Sequence, residues 1–370
     1  MDAALDACWM ARAIQLAGRG RYSTSPNPNV GCVLVRDNEL LAEGWHQRAG
    51  EGHAEVNALA RCEQTQGATA YVSLEPCSHH GKTPPCAEAL IKAGIKRVVV
   101  AMEDPNPQVS GRGIQLLRDA GIHVEVGLQQ REAEALNPGF IKRMKTGLPR
   151  VRAKLAMSLD GRTAMASGES QWITGAAARR DVQRLRAASC AIVSGVETLI
   201  HDDAALTVRP EQAELPAEQC RQPLRVILDS RLRTPLDGKL FQGGGPVLVI
   251  GAVDAPELRQ RLEAAGAEVM ILAGADGRVE LAAVLKELGR RQCNEVLVES
   301  GATLAGAFLQ AELLDALTVY MAPTLLGSKA RPLFELPLDE MNTQRRVHID
   351  GIRAIGTDWR LDATLHTVAH

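Results

Sequence analysis

Aromatic side chains are scarce in this chain, with four Trp, three Tyr and four Phe among 370 residues. That leaves little from which to build the stacking platforms of single-stranded nucleic-acid binders. A net charge of −2 supplies no basic field for nucleic acid or for an anionic membrane. No uncharged apolar run approaches the roughly 20 residues that cross a bilayer. The opening Met1-Asp2-Ala3-Ala4-Leu5-Asp6 carries acids where a secretory signal needs a basic stretch, so the expected compartment is the cytoplasm. Thiols stay reduced there. Six of the eight cysteines, Cys8, Cys32, Cys62, Cys190, Cys220 and Cys293, show no metal or redox spacing and read as small buried hydrophobes.

What is present is ordinary in bulk. An apolar share of 45% and a charged share of 23% belong to a water-soluble globular chain, and 370 residues exceed one ordinary core. Two domains are expected. Asn137-Pro138-Gly139 and the basic stretch from Lys142 to Pro149 suggest the junction, giving domains 1–146 and 147–370.

The first domain reads as alternating helices and strands. Residues 2–18 suit an amphipathic helix, and Val30 to Val35 and Leu40 to Gly44 suit a hairpin. A helix from His53 to about Cys62 precedes a strand from Ala70 to Leu74. Pro85-Cys86 then opens another helix, and Arg97 to Met102 is a further strand. This alternation predicts a three-layer α/β/α sandwich.

Within it, Gly52-His53-Ala54-Glu55 and the stretch from Pro76-Cys77 to Pro85-Cys86 place one imidazole, two thiols and a carboxylate in an order that zinc chemistry uses. Zinc held by three protein ligands keeps a fourth position for water. Glu55, two residues from His53, is the candidate proton carrier for that water. Two residues along a helix differ by about 200° in azimuth, so His53 and Glu55 share a site only at a helix entrance. Cys86 follows Pro85, a residue favoured in the first turn, and a helix N-terminus favours thiolate. A structural zinc completed by His79 or His80 is the competing reading.

His-Ala-Glu followed by Pro-Cys and a later Cys resembles the cytidine-deaminase-type zinc deaminases. The long form from Leu74-Glu75-Pro76-Cys77 through Ser78-His79-His80-Gly81-Lys82-Thr83 to Pro84-Pro85-Cys86, with Asn27-Pro28-Asn29-Val30-Gly31 and His46, resembles the bifunctional riboflavin-biosynthesis deaminase–reductase family. That resemblance implies a cytidine-deaminase-like domain with His53, Cys77 and Cys86 as zinc ligands, Glu55 as the catalytic residue, and Asn27, His46, His79, Lys82 and Thr83 as substrate contacts. Its substrate would be 2,5-diamino-6-(5-phosphoribosylamino)pyrimidin-4(3H)-one, which loses its 2-amino group as ammonia.

In the second domain, strands are expected at Val151 to Met157, Ala191 to Gly195, Leu224 to Asp229, Val247 to Gly251, Val269 to Leu272 and Glu295 to Glu299, with a basic helix from Ala176 to Ala187. No early G-x-G-x-x-G supports a Rossmann fingerprint, and Gly243-Gly244-Gly245-Pro246 reads as a plain loop. The small residues from Ser300 to Ala307 after the last of these strands suit either a phosphate at a helix N-terminus or close packing.

Lys154-Leu155-Ala156-Met157-Ser158-Leu159-Asp160-Gly161, Ser170-Gln171-Trp172-Ile173-Thr174-Gly175, and Asp202 to Arg209 are similar to the reductase half of the same family, in order and spacing. The resemblance implies a dihydrofolate-reductase-like α/β fold and NADPH-dependent reduction of the ribosyl group. Its cofactor positions fall on Ala156, Trp172, Thr198, Asp202, Ser230, Gly301, Ala302, Thr303, Leu304, Ala305, Gly306 and Ala307. Its substrate positions fall on Ser170, Arg186, Leu206, Arg209 and Glu299, and the arginines suit the substrate phosphate. Zinc and NADPH are thus the expected cofactors, a phosphoribosylaminopyrimidine the expected small-molecule substrate, and a homodimer through the reductase domain the expected assembly, with neither nucleic acid nor membrane as partner. A nucleic-acid-editing zinc deaminase would leave some 220 residues without a role, and a structural-zinc binding module would leave Glu55 without one.

Overall fold

Side chains alternate along the first strands so that each strand feeds two apolar layers. Cys32, Leu34, Ala70, Val72, Val98 and Val100 join one core, while Val33, Val35, Tyr71 and Val99 join another. The computed structural model describes residues 3–78, 85–107, 109–170 and 172–365. It divides into the units Met1–Gly147 and Leu148–His370.

The first unit contains β1 (Gly31–Arg36), β2 (Glu39–Trp45), β3 (Thr69–Val72), β4 (Arg97–Val100) and β5 (His123–Val126) in the order β2-β1-β3-β4-β5. Helices α2 (Ala54–Leu59), α3 (Cys86–Lys92) and α4 (Arg112–Asp119) cover one face, and α1 (Ala3–Ala17) and α5 (Gln130–Leu136) the other. This is the expected three-layer sandwich. The junction differs from its expected form. Pro138 does not open a linker but occupies the first turn of α6 (Pro138–Thr146), where its missing N–H costs nothing, and Gly147 ends that helix at φ 76°. Asn137 makes the corner between α5 and α6. Its side-chain amide accepts the Asn29 N–H at 2.7 Å and donates to the Asn29 carbonyl at 2.9 Å, fixing the loop that carries Asn27.

The second unit is built on β6 (Arg150–Ser158), β7 (Arg162–Ala164), β8 (Ala191–Gly195), β9 (Leu224–Leu228), β10 (Val247–Gly251), β11 (Ala267–Ile271), β12 (Glu295–Glu299), β13 (Ala316–Ala322), β14 (Arg331–Pro332), β15 (Val347–Ile355) and β16 (Asp358–Leu365). Nine of these form one sheet, β11-β10-β9-β8-β12-β6-β13-β16-β15. From β11 to β13 every pairing is parallel, and the β15–β16 hairpin closes the other edge antiparallel. The strands β13 to β16 lie beyond those expected from the sequence, since the chain from Ala316 onward shows no clean alternation of apolar and polar positions. α7 (Ala176–Ala188), α8 (Val196–Asp202) and α11 (Pro256–Ala264) pack one face of the sheet. α12 (Leu281–Arg290) and α13 (Ala302–Gln310) pack the other. Short helices α9 (Pro210–Ala213) and α10 (Lys239–Gln242) lie in the connections. The glycine-rich segment is a loop as expected, and it is held by Arg225, whose guanidinium donates to the carbonyls of Gly243 and Gly245.

In the first unit α1 is fastened to the sheet by a buried ion pair. Arg97, 5% exposed, donates from both terminal nitrogens to Asp6 at 2.8 Å and also meets Glu125. The Tyr71 hydroxyl donates to Asp6 at 2.5 Å. The Arg97 and Tyr71 hydrogen bonds hold the Asp6 carboxyl below its ordinary pKa, against the opposing effect of burial. The stabilisation is therefore complete above the unfolded-state value of about 3.9 and is lost as pH falls through the folded-state value. Asp6→Asn should cost about 3 kcal/mol in denaturant unfolding at pH 7, because it removes the two-bond carboxylate partner of a buried guanidinium and leaves it the more exposed Glu125. It should also flatten the acid limb of the stability profile, and an unchanged acid limb would contradict this reading.

Candidate active sites

The metal centre is assembled from two helix entrances and the exit of one strand. His53 is the N-cap of α2, with φ −71° and ψ 169°, so its ring leaves the helix before the first turn closes. Glu55 stands in that first turn and is 2% exposed. Cys86 is the first residue of α3, with Pro85 as N-cap. Cys77 lies beyond β3, where Glu75 pins the chain. Its buried carboxylate accepts the N–H groups of Asp104, Gly111, Gly113 and Ile114 at 2.9 to 3.3 Å.

These elements bring His53 Nδ1, Cys77 Sγ and Cys86 Sγ within 4.8 Å of one another. The sulfurs stand 3.5 and 3.3 Å from Nδ1. Zinc–sulfur and zinc–nitrogen bonds of about 2.3 and 2.0 Å, at the tetrahedral angle, would separate such donors by about 3.5 Å. One imidazole and two thiolates at this spacing fit zinc. Among the described residues three donors form the cluster, and a zinc held by three protein ligands keeps its fourth position for water. Hydrogen bonds from Cys86 and His53 draw the Cys77 thiol down to about 4, while the Cys77 contact, then burial and the Glu55 charge, hold the Cys86 proton on. A dication displaces the proton the two sulfurs share. Burial, then the Cys77 charge, pushes the Glu55 carboxyl up to about 7.

Two expected substrate contacts lie beside this centre. The His46 ring stands edge-on to His53, centroids 5.4 Å apart. His46 Nδ1 is 3.1 Å from the Gly52 carbonyl, which only accepts, so Nδ1 carries the proton and Nε2 accepts from the Asn27 amide at 3.1 Å. Burial keeps His46 neutral by lowering its pKa. Asn27 is thereby fixed by its NH₂ end, leaving its carbonyl oxygen as an acceptor. His79, His80, Lys82 and Thr83 lie outside the described residues.

In the second unit a groove of about 2530 Å³ runs along the carboxyl ends of the parallel strands. It is lined by Ala156, Ser170, Trp172, Arg186, Thr198, Asp202, Leu206, Arg209, Ser230 and Glu299, and by Gly301 to Leu304 and Ala307 of the α13 entrance. Ala305 and Gly306 do not reach it. Ala305 is fully buried, and Gly306 lies against the backbone of Glu335. The residues fit a dinucleotide, because the first N–H groups of α13 open on the groove where a pyrophosphate can be received. Trp172 is no core residue, being 71% exposed with the Arg179 guanidinium 4.6 Å from its ring centroid. Leu206 lines the groove beside Ala204 and Ala205, at φ 52° and 2% exposed.

Arg186 is held by its neighbours in the groove. It clamps Glu299 through two N–H bonds of 2.6 and 3.0 Å and gives a third to the Thr207 carbonyl. Three of its five N–H groups are engaged in this way, and Arg186 still lines the groove, as exposed Arg209 does. Burial would raise the Glu299 carboxyl, but the Arg186 and Lys154 charges prevail and hold it below the ordinary range. Lys154 was not singled out from the sequence, although it begins the segment Lys154 to Gly161. It lines the groove beside Glu299, and burial lowers its pKa. Position on β6 could have revealed it: Lys154 and Ala156 have the same parity, so one groove-facing residue implies the other.

Comparison with known proteins accounts for both units. The family model described as the cytidine and deoxycytidylate deaminase zinc-binding region matches residues 4–102, and that of the RibD C-terminal domain matches residues 149–361. The riboflavin biosynthesis protein RibD of Escherichia coli (strain K12) is 51% identical over 362 residues, covering 95% of this chain and 97% of its own. The protein of the same name from Haemophilus influenzae is 48% identical over 372 residues, covering 97% of each. Among solved structures, Acinetobacter baumannii RibD superposes with a TM-score of 0.92 at 48% identity, covering 99% of this chain and 100% of that one. The diaminohydroxyphosphoribosylaminopyrimidine deaminase/5-amino-6-(5-phosphoribosylamino)uracil reductase of Thermotoga maritima superposes with a TM-score of 0.86 at 31% identity, covering 98% and 99%. With a zinc-type donor set in one unit, a dinucleotide groove in the other and relatives matched along nearly their whole length, this chain belongs to the RibD family of bifunctional riboflavin-biosynthesis enzymes, deaminases through zinc and reductases through NADPH.

Proposed function

We propose that the first unit deaminates 2,5-diamino-6-(5-phosphoribosylamino)pyrimidin-4(3H)-one and the second reduces the product, 5-amino-6-(5-phosphoribosylamino)uracil, to its ribityl form. The observation that carries this reading is the convergence of His53, Cys77 and Cys86 within 4.8 Å beside the buried carboxylate of Glu55. Held by those three residues, zinc supplies the acidity that makes water a nucleophile at neutral pH. Glu55 accepts the water's proton at a carboxylate oxygen, gives it to the ring nitrogen, and then assists protonation of the departing amine. Water adds and ammonia leaves, with no net change in oxidation state. Asn27 offers its carbonyl oxygen to a substrate N–H, and His46 holds it there. Lys82 and Thr83 are read as further contacts on resemblance alone.

In the second unit NADPH supplies the hydride, delivered to C1′ of the open, imine-like sugar. The chain's own residues position that sugar. Glu299, kept ionised, accepts from sugar hydroxyls, and Arg186 fixes its carboxylate. Lys154 adds a buried donor beside it. Arg209 is exposed at the groove and suits the substrate phosphate, since a guanidinium stays charged and binds bidentately. Both substrates carry that phosphate, which suits the cytoplasm as the working compartment. No helix among the described residues is long and apolar enough to cross a membrane.

The homodimer is read onto the β15 edge of the second unit. Val347, Ile349 and Ile352 pair with Leu365, Ala363 and Leu361, and the register shift after Ile349 keeps all three on one face. They are 41 to 56% exposed, an apolar extension of a core to which Leu361 and Leu365 belong. Light scattering should return twice the 39.7 kDa chain mass. A monomer at assay concentration would contradict it.

A pair of variants separates the two chemistries. Glu55→Gln should retain its zinc and lose about 10²–10⁴-fold in ammonia release, the range of a general acid–base group. Arg209→Ala should raise the KM of the reductase step and leave deamination intact. Near-normal ammonia release by zinc-loaded Glu55→Gln, or equal loss of both activities in Arg209→Ala, would overturn these assignments.

A further inference from the structure

The helix that furnishes much of the reductase groove is itself held from outside it. Arg179, Val182, Gln183 and Arg186 recur at helical spacing along α7, and all of them line the groove. Each polar member fixes something else there. Arg186 clamps Glu299, and the Gln183 side-chain carbonyl accepts the Arg209 backbone N–H at 2.9 Å. Arg179 donates to the Thr174 carbonyl at 2.7 Å, on the segment that carries Trp172. The depth of α7 on the sheet therefore sets the positions of Glu299, Arg209 and that segment.

What sets that depth is the β15–β16 hairpin, although among the described residues none from Val347 to Leu365 lines the groove. Asp358, 2% exposed, accepts the Gly175 N–H at 2.7 Å at the entrance of α7, where a carboxylate also suits the helix dipole. Gly356 turns at φ 64° against the same helix, and a Cβ there would stand 2.9 Å from the Ala177 Cβ. Farther along α7, the buried Asp181 carboxylate accepts from Arg360 and from the Tyr320 hydroxyl, each at 2.6 Å, with exposed Arg353 at 3.6 Å. Cross-strand register carries these contacts inward. Arg360, Tyr320 and Ala156 are partners in one row, and Asp362, Thr318, Lys154 and Glu299 in the next. Arg360 and the Thr318 hydroxyl both donate to Asp362, which ties the two rows together. We propose that Asp358 and Arg360 are positioning residues for the reductase step, seating α7 so that Arg186 orients Glu299 and Gln183 orients the Arg209 segment. The proposal rests on the reading of this groove as the reductase site. A contact that only stabilised the fold would change the folded fraction and leave the kinetic constants of the folded molecules alone.

Steady-state kinetics of each step on the full-length, zinc-loaded chain test it. Asp358→Ala should lower reductase kcat/KM about 10–100-fold, the scale of a misplaced reacting group, with deamination at the parent rate. Asp358→Asn keeps an acceptor for the Gly175 N–H and should recover most of that loss. Arg360→Lys gives up the fork shared between Asp181 and Asp362 and should show a smaller loss in the same direction. Where Arg186→Lys has already loosened the Glu299 clamp, adding Asp358→Ala should cost little more. Val319→Ala removes core packing on the face of β13 away from α7 and should leave reductase kcat and KM unchanged. If Asp358→Ala does not fold, Arg360→Lys carries the same comparison across the two Arg186 backgrounds. Parent-like reductase constants in both Asp358→Ala and Arg360→Lys, equal losses in both Arg186 backgrounds, or a matching loss in Val319→Ala overturns the proposal. A parent chain that oxidises no NADPH would instead overturn the reductase reading beneath it.

Discussion

Two helix entrances and one strand exit, at His53, Cys86 and Cys77, converge on a point where three soft donors stand about a bond-length pair apart. Everything in the first unit is arranged around holding them there. The six residues of α2 are too few to be stable alone, and they persist because Ala54 and Ala58 are buried against the sheet. Glu75 satisfies four backbone N–H groups of the segment entering α4 and so immobilises the chain two residues before Cys77. The Asn29–Asn137 pairing does the same for the loop carrying Asn27. A three-donor set of this kind is useful in catalysis only if its surroundings are rigid, since the remaining position must receive water and substrate.

The second unit solves a different electrostatic problem. Lys154, Arg186 and Glu299 are three charges in one buried cluster, and none would be tolerated there singly. Together they keep the Glu299 carboxylate ionised in a groove that must also admit polyanions. The parallel strands lead their carboxyl ends to that groove, so contacts from β6, β8, β9 and β12 fall along a single line. One sheet thereby spaces the groove's side chains by counting strands.

Much of this was legible in the chain. Strands such as Glu295–Glu299 and Ala191–Gly195 carry short apolar runs, Val296 to Val298 and Ala191 to Val193, bounded by polar residues or Gly, and they stand where the sequence puts them. His53 and Glu55 could be placed at a helix entrance from azimuth alone. Three things were not legible. The corner at Asn137 looks like a linker because its purpose is a pairing with Asn29, 108 residues away. The β15–β16 hairpin carries its apolar positions on an exposed face with a register shift, which hides its periodicity. The commitment of Arg186 to Glu299 joins residues 113 apart, and local sequence cannot tell a clamped arginine from a free one.

If deamination depends on the His53–Cys77–Cys86 centre and reduction on a separate constellation in the other unit, the two activities should part when zinc is removed. Removing zinc with a chelator from the full-length chain, then assaying each step on its own substrate, tests it most directly. Ammonia release should vanish and return on adding zinc, while NADPH oxidation on the deaminated intermediate continues throughout. Persistent deamination in the metal-free chain, or loss of both activities together, would contradict the account.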